Sequence, residues 1–252
     1  MSRLDAFIAD VKKRFPDDRL TYRKGIVTFH PENGAEAAAL FRMANQAGQQ
    51  LFITGFGNQI DPVGGKFADL MTLRSDRLNT LLHVAADDFY IEVGAGYPLR
   101  ELNQELSEYG LFLPHGDLPY VGSIAGAIAV GLSAQRGMQL LPLSRYLIMA
   151  EIATPTGDLI KPGSACFKSV SGFDIVKIYF SSWGMLGMIM TVTLRVLPLS
   201  VKSEYSGLVQ NAVDYRKFCQ LYQEPEDNIS ARYSLRIKSK FDPNNILPLI
   251  TI

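Results

Sequence analysis

Three glycine-rich stretches carry the residue types best suited to holding an anionic ligand. The first, Thr54-Gly55-Phe56-Gly57-Asn58-Gln59, directly follows the apolar run Leu51-Phe52-Ile53. Glycines let backbone N–H groups approach an anion closely, and consecutive amides form anion-binding nests. Taken alone, a tight turn explains this stretch more readily than a phosphate site. It lacks the G-x-G-x-x-G spacing that opens a helix in a Rossmann unit, and no Gly-Lys-Ser/Thr follows as in a P-loop. The second stretch runs from Gly116 to Ser133 and is dominated by small residues. It can pack backbone against something flat and bulky or start a helix close to a phosphate; tight helix–helix packing is the plain alternative. The third covers Lys168 to Lys177 and then Ser181 to Ile189, where Gly184 and Gly187 open a strand and imply a bulge or a close backbone approach.

Side chains able to move protons are few. Of the three histidines, His30 and His83 follow or end strands and read as structural, whereas His115 sits in a loop between Pro114 and Gly116. His115 is a weak catalytic candidate, with an ordinary loop histidine as the plainer reading. Tyr97 and Tyr179 are packing candidates. The two cysteines, Cys166 and Cys219, are too few for a disulfide framework and have no metal-ligand spacing, so no metal site is expected.

Composition narrows the function classes. Lys plus Arg (25) balance Asp plus Glu (25), so no global field favours nucleic acid or an anionic membrane surface. The densest basic clusters, Lys12 to Arg14 and Arg236 to Lys240, read as solvated faces. Tyr120 to Ala134 is uncharged but glycine-broken and too short to span a bilayer. The start of the chain lacks a signal-peptide core, and a cytoplasmic protein is expected.

The elements that must position the loops follow from periodicity. Leu4, Phe7, Ile8, Val11 and Phe15 recur at helical spacing up to Pro16, with Ser2 and Asp5 as a capping box. Arg23 to Phe29 reads as a strand, Ala35 to Ala47 as a helix stopped by Gly48, and Leu51 to Thr54 as a short buried strand, which makes a parallel βαβ unit. Strands then follow at Leu81 to Val84 and Phe89 to Val93, a helix at Leu99 to Tyr109, a hairpin over Tyr146 to Ile160, and a long strand within Met185 to Leu197. Beyond Pro198 a helix is expected over Val213 to Tyr222, a loop over Glu224 to Asn228 and a strand over Arg232 to Ile237. The mixture is α+β.

In order and spacing, the loops resemble the FAD-linked oxidase family, the vanillyl-alcohol-oxidase or PCMH-type flavoproteins, and within it the glycolate oxidase type of FAD-binding subunit. The likeness covers about Ile26 to Pro198 and resumes from Arg236 to Pro248. Beyond Thr54 to Gln59, it rests on Val93-Gly94-Ala95-Gly96-Tyr97-Pro98-Leu99, Gly110-Leu111-Phe112-Leu113-Pro114 and Ser123-Ile124-Ala125-Gly126-Ala127-Ile128-Ala129. It continues through Lys168 to Ile178, Ser181 to Ile189 and the closing Phe241-Asp242-Pro243-Asn244-Asn245-Ile246-Leu247-Pro248. The resemblance implies a PCMH-type FAD-binding domain over residues 1–198, with subdomains of about 1–75 and 76–198. Residues 199–252 would form the remnant of a strongly reduced cap and a C-terminal return segment.

Carried over by position, Gly55, Gly57, Asn58 and Gln59 would offer backbone amides to the pyrophosphate, with Phe56 also at the cofactor. Gly122, Ser123, Gly126 and Ala127, helped by Ser133, would lie along the flavin's ribityl and phosphate side, the backbone of Ile189 would meet the adenine end, and His115 with Gly116 would pass near the flavin. Thr54 stands where the family has arginine, Asn58 where it has threonine or histidine, and Gln59 where it has serine. Ala125 replaces a glycine, and Trp183 replaces a glutamate. With no histidine at position 58, the FAD is expected to be non-covalent. The resemblance further implies a subunit that passes electrons within a 2-hydroxyacid dehydrogenase or oxidase complex. A catalytic flavin subunit and an iron–sulfur subunit, or further copies of the chain, would be its partners, docked on an apolar patch of Tyr120, Val121, Trp183 and Met185. A small stand-alone FAD-dependent 2-hydroxyacid dehydrogenase, or a degenerate FAD fold serving assembly, are the alternatives.

Overall fold

The computed structural model describes residues 2–58, 65–164, 175–211, 220–221 and 229–251. Gln59, the signature from Lys168 to Asp174, both cysteines, the loop over Glu224 to Asn228 and nearly all of the helix expected over Val213 to Tyr222 lie outside the described residues.

The chain opens with α1 (Arg3–Arg14), whose Ser2 side chain accepts from the Asp5 N–H while the Asp5 carboxylate accepts from the Ser2 N–H. This reciprocal cap satisfies two donors that the first turn would otherwise leave bare. Next come β1 (Leu20–Arg23), β2 (Ile26–Phe29), α2 (Gly34–Ala47), β3 (Leu51–Thr54) and β4 (Met71–Arg74). The expected strand over Arg23 to Phe29 is instead the second arm of a hairpin, because Lys24 and Gly25 both take positive φ (50° and 77°) and reverse the chain. β4 lies between β2 and β3 and pairs parallel with both, giving the order β1-β2-β4-β3. Phe7 and Val11 of α1 and Leu40, Phe41 and Ala44 of α2 bury against Phe29, Leu51, Met71 and Leu73 of this sheet.

The chain continues through β5 (Leu81–Ala85), β6 (Tyr90–Gly94), α3 (Leu102–Ser107), β7 (Leu111–Phe112), α4 (Ile124–Ala129), β8 (Ser133–Arg136) and β9 (Gln139–Pro142). After these come β10 (Leu147–Ala153), β11 (Leu159–Ile160), β12 (Met188–Arg195), β13 (Leu197–Pro198), β14 (Val209–Gln210), β15 (Gln220–Leu221), α5 (Ile229–Phe241) and β16 (Ile250–Thr251). An antiparallel sheet of order β11-β10-β12-β6-β5 forms the frame of this part, and α4 packs on β12. Ile91, Val93, Leu102, Ile124, Ile128, Val192 and Leu194 belong to its core. Helix and sheet are mixed throughout, as expected of an α+β chain.

The segment from Arg232 to Ile237 is helical, not a strand. Local β-formers (Tyr233, Ile237) yield here to an i,i+4 contact in which Lys238 Nζ, 8% exposed, donates to the wholly buried Asp242 carboxylate at 2.6 Å. Lys238 is therefore not part of a solvated face. Asp242 also accepts from the N–H groups of Ile246 and Leu247, both at 2.8 Å. The turn so formed presents the Ile246 carbonyl to the Leu51 N–H at 2.8 Å, and Ile246 and Leu247 bury in the first core. Among the described residues no helix is long and apolar enough to cross a membrane.

Candidate functional site

β3 and β4 run parallel, and their carboxyl ends open on one cleft, the usual place for a ligand in a parallel sheet. Beyond Thr54 the chain turns through Gly55 to Asn58, with Gly57 at φ 75°. The Asn58 side-chain amide donates to the Val121 carbonyl at 2.7 Å, which fastens the first glycine stretch to the second. A Cβ on Gly55 would stand 2.6 Å from Ser123 Oγ, so two backbones meet here with no side chain between them. Ser123 Oγ in turn caps α4, accepting from the Gly126 N–H at 3.1 Å. The start of α4 is pinned from behind, with Ile124 N–H on the Tyr97 carbonyl and Ala125 N–H on the Ala95 carbonyl.

The third wall is the segment from Ser182 to Ile189. Ser181, Trp183 and Gly184 all hold positive φ (62°, 51° and 76°). The N–H groups of Ser181 and Trp183 donate to the Ile128 and Ala129 carbonyls at 3.0 Å, which ties this wall to the end of α4. The space between the three walls opens to solvent.

Of the residues anticipated from sequence, Gly55, Phe56, Gly57, Asn58, Gly122, Ser123, Gly126 and Ile189 line the cleft. Ala127 is wholly buried on the core side of α4, and Ser133 lies on β8 with its hydroxyl donating to the Gly131 carbonyl. Gly116 is packed against the Asn103 side chain, away from the cleft. His115 is also away from it and fully buried. Its Nε2–H donates to the Leu141 carbonyl at 2.8 Å, its ring meets Tyr146 edge-on at 5.4 Å, and its Nδ1 has no hydrogen-bond partner among the described residues. Burial pushes this imidazole down to about 4, against a smaller upward pull from the Leu141 carbonyl, so it is neutral near pH 7. Burial likewise pushes the Tyr179 hydroxyl up to about 12.

Sequence reasoning passed over Ser75, Tyr120 and Ser182 as lining residues, and read Trp183 as a departure from the family and as part of a docking patch. Ser75 follows β4 directly, and its N–H reaches the Thr54 carbonyl at 3.2 Å. Recognising β4 as the parallel neighbour of β3 would have found it. Tyr120 and Trp183, 3% and 5% exposed, are buried and cannot form the exposed patch expected of them; Val121 is exposed.

The lining suits a dinucleotide with two phosphates. Among the described residues it contains no Asp or Glu to repel a pyrophosphate, it holds the Ser75 and Ser123 hydroxyls and the Asn58 amide, and its glycines admit close backbone approach. Glycine loops between a mixed and an antiparallel sheet thus wall the cleft. Residues 26–163 match the FAD binding domain family. The chain belongs to the FAD-linked oxidases, and FAD is its cofactor.

Its relatives include the mitochondrial D-lactate dehydrogenase (cytochrome) of Arabidopsis thaliana, 33% identical over 140 residues, which are 56% of this chain and 24% of that one. Glycolate oxidase subunit GlcE of Escherichia coli (strain K12) is 26% identical over 153 residues, 58% of this chain and 42% of the subunit. A solved alkyldihydroxyacetonephosphate synthase shares the fold, with a TM-score of 0.62 over 77% of this chain and 40% of its own, at 18% identity. The chain thus spans less than half the length of each of these proteins.

Proposed function

We propose that the chain is the FAD-binding unit of a 2-hydroxyacid dehydrogenase or oxidase complex, of the glycolate or lactate kind, and passes electrons through non-covalent FAD. The observation that carries this reading is the chemistry of the cleft wall. Its polar side chains are hydroxyls and one amide, and among the described lining residues no histidine, carboxylate, lysine or arginine is present to take a proton from a hydroxy acid. FAD, when bound, supplies the redox chemistry; this chain's residues bind it, orient it and exclude water. Gly55 to Asn58 and Gly122 to Gly126 would hold the pyrophosphate by backbone approach, with Ile189 further along the third wall. Asn58 offers no imidazole for covalent attachment.

The segment between β13 and the turn at Asp242 takes the place of a substrate-covering cap. The return of Ile246 to the edge of β3 supports reading that interval as a reduced cap. The substrate would then be handled by companions, a catalytic flavin subunit and an iron–sulfur subunit, or by a second copy.

The test is the visible spectrum of the purified protein, identification of the released chromophore, and turnover of glycolate and D-lactate with an artificial acceptor. Bound FAD without turnover by the isolated chain, with turnover on adding its companions, is expected. Ordinary enzyme rates from the chain alone would sink the subunit reading in favour of a stand-alone dehydrogenase. A colourless protein that takes up no added FAD would leave only an assembly role.

A further inference from the structure

We infer that the Ser75 hydroxyl donates a hydrogen bond to a phosphate oxygen of the bound dinucleotide, a positioning role that rests on the reading of the cleft as the FAD site. Ser75 follows the carboxyl end of β4 and lines the cleft beside the first glycine loop. Its N–H donates to the Thr54 carbonyl at 3.2 Å, one residue before Gly55.

The backbone of Ser75 is clamped. Its carbonyl accepts from the Leu78 N–H at 2.9 Å, which closes a turn through Asp76 and Arg77. Gly96 packs on the same carbonyl so closely that a Cβ there would stand 1.9 Å from the oxygen. The next residue, Asp76, is hydrogen-bonded to His30 Nδ1 at 2.7 Å. A ligand therefore meets a serine that needs little further ordering.

The hydroxyl, by contrast, makes no hydrogen bond among the described residues. A serine that opens a turn commonly bonds its hydroxyl to the backbone two residues on, and Ser75 does not. Nor is its oxygen sealed in. Thr72 Oγ1, three residues earlier, is both without a partner and cut off from solvent, whereas Ser75 Oγ keeps some contact with the surface. Ser75 is 4% exposed, so that opening is narrow, and it lies on the cleft the residue lines. One narrow opening is enough for one donor to meet one oxygen. A nearly buried hydroxyl with no partner is a cost to the empty protein that an acceptor entering the cleft removes.

The acceptor that fits is an anionic phosphate. No Lys or Arg lines the cleft among the described residues, so neutral donors must meet the charge of a pyrophosphate. Hydrogen bonds to an ionised acceptor are the stronger kind. Other hydroxyls of the wall are already engaged, Ser182 by donating to the Tyr179 carbonyl and Ser123 by accepting from the Gly126 N–H.

The experiment is calorimetric titration of apoprotein with FAD for wild type and Ser75→Ala, with urea unfolding of both apoproteins and phosphorus NMR of both FAD complexes at saturation. Ser75→Ala is expected to weaken FAD about tenfold, ~1.4 kcal/mol. Its apoprotein should unfold at the wild-type midpoint, because the lost hydroxyl has no partner in the protein, and the pyrophosphate resonances should differ between the two complexes. Equal FAD affinity overturns the proposal. So does a less stable Ser75→Ala apoprotein, which would give the hydroxyl a structural role, and so do identical pyrophosphate resonances, which would place it elsewhere on the ligand. A wild-type protein that takes up no FAD overturns the FAD reading and this proposal with it.

Discussion

The contact between Gly55 and Ser123 sets up a double-mutant test of how the first two glycine loops meet. In Gly55→Ala the new methyl would lie 2.6 Å from Ser123 Oγ, while its next neighbours, Ser123 Cβ and Gly126 Cα, stand at 3.6 and 3.8 Å, which is ordinary contact. The clash is therefore with one oxygen, and the Ser123 hydroxyl must rotate away. Rotation loses its bond from the Gly126 N–H at 3.1 Å, a cap worth ~0.5–2 kcal/mol. Ser123 is wholly buried, so a displaced hydroxyl without a partner adds ~1–3 kcal/mol. Gly55→Ala should thus cost about 1.5–5 kcal/mol, the sum of these two effects. Ser123→Ala should cost about 1 kcal/mol as a lost cap. The double variant should be no less stable than Ser123→Ala alone, so that the coupling between these residues in contact cancels the whole Gly55→Ala cost. Urea unfolding of the three apoproteins measures it, and thermal midpoints should move by about 2–4 °C per kcal/mol. Additive losses in the double variant would refute the geometry.

Ser181→Gly removes a Cβ from a position at φ 62° and should stabilise the apoprotein by about 0.5–1 kcal/mol in urea; a loss of stability would count against the strain. Asp242→Ala strands the buried Lys238 ammonium and the N–H groups of Ile246 and Leu247. It should cost about 3–5 kcal/mol and open the residues after 242 to protease, and an unchanged cleavage pattern would contradict that role. His115, held by burial at about 4, stays neutral in the folded state while the unfolded chain takes up a proton near its ordinary value of about 6.5. Stability contributed by the neutral ring is present above about pH 6.5 and lost as pH falls towards about 4. His115→Gln should flatten that limb of a pH–stability curve, and a limb that survives would place its origin elsewhere.

Where one signal governed the outcome, the fold was legible in the sequence. Ser2 with Asp5 and the helix stop at Gly48 are short-range capping devices, and both stand where periodicity and residue type put them. The hairpin at Lys24-Gly25 was missed because two short strands of like composition read as one, although the glycine marks the turn. β4 and β8 to β9 are four-residue strands whose pairing is decided by partners far along the chain, so local propensity says little about them. α5 was misread for the same reason, since its state depends on Lys238 meeting Asp242 one turn on. For the site, the glycines of the first two loops were visible as residue types. The cleft also needed Ser75, Tyr120 and Trp183, which only the packing of separate segments brings together. His115 read as an ordinary loop histidine because it stands between proline and glycine, yet it is fully buried against Leu141 of β9.

The turn at Asp242 also bears on how the protein is made. Gln50 donates to the Asn245 carbonyl across 195 residues, and beside it Leu51 pairs with Ile246. The edge of the first sheet thus stays unpaired on the ribosome until that late segment emerges, a wait of roughly 10–40 s at 5–20 residues per second. During that interval β3, the strand that leads into the cofactor loop, presents bare amides to any passing strand, so the nascent chain is most open to mispairing at the edge from which its own flavin site is built.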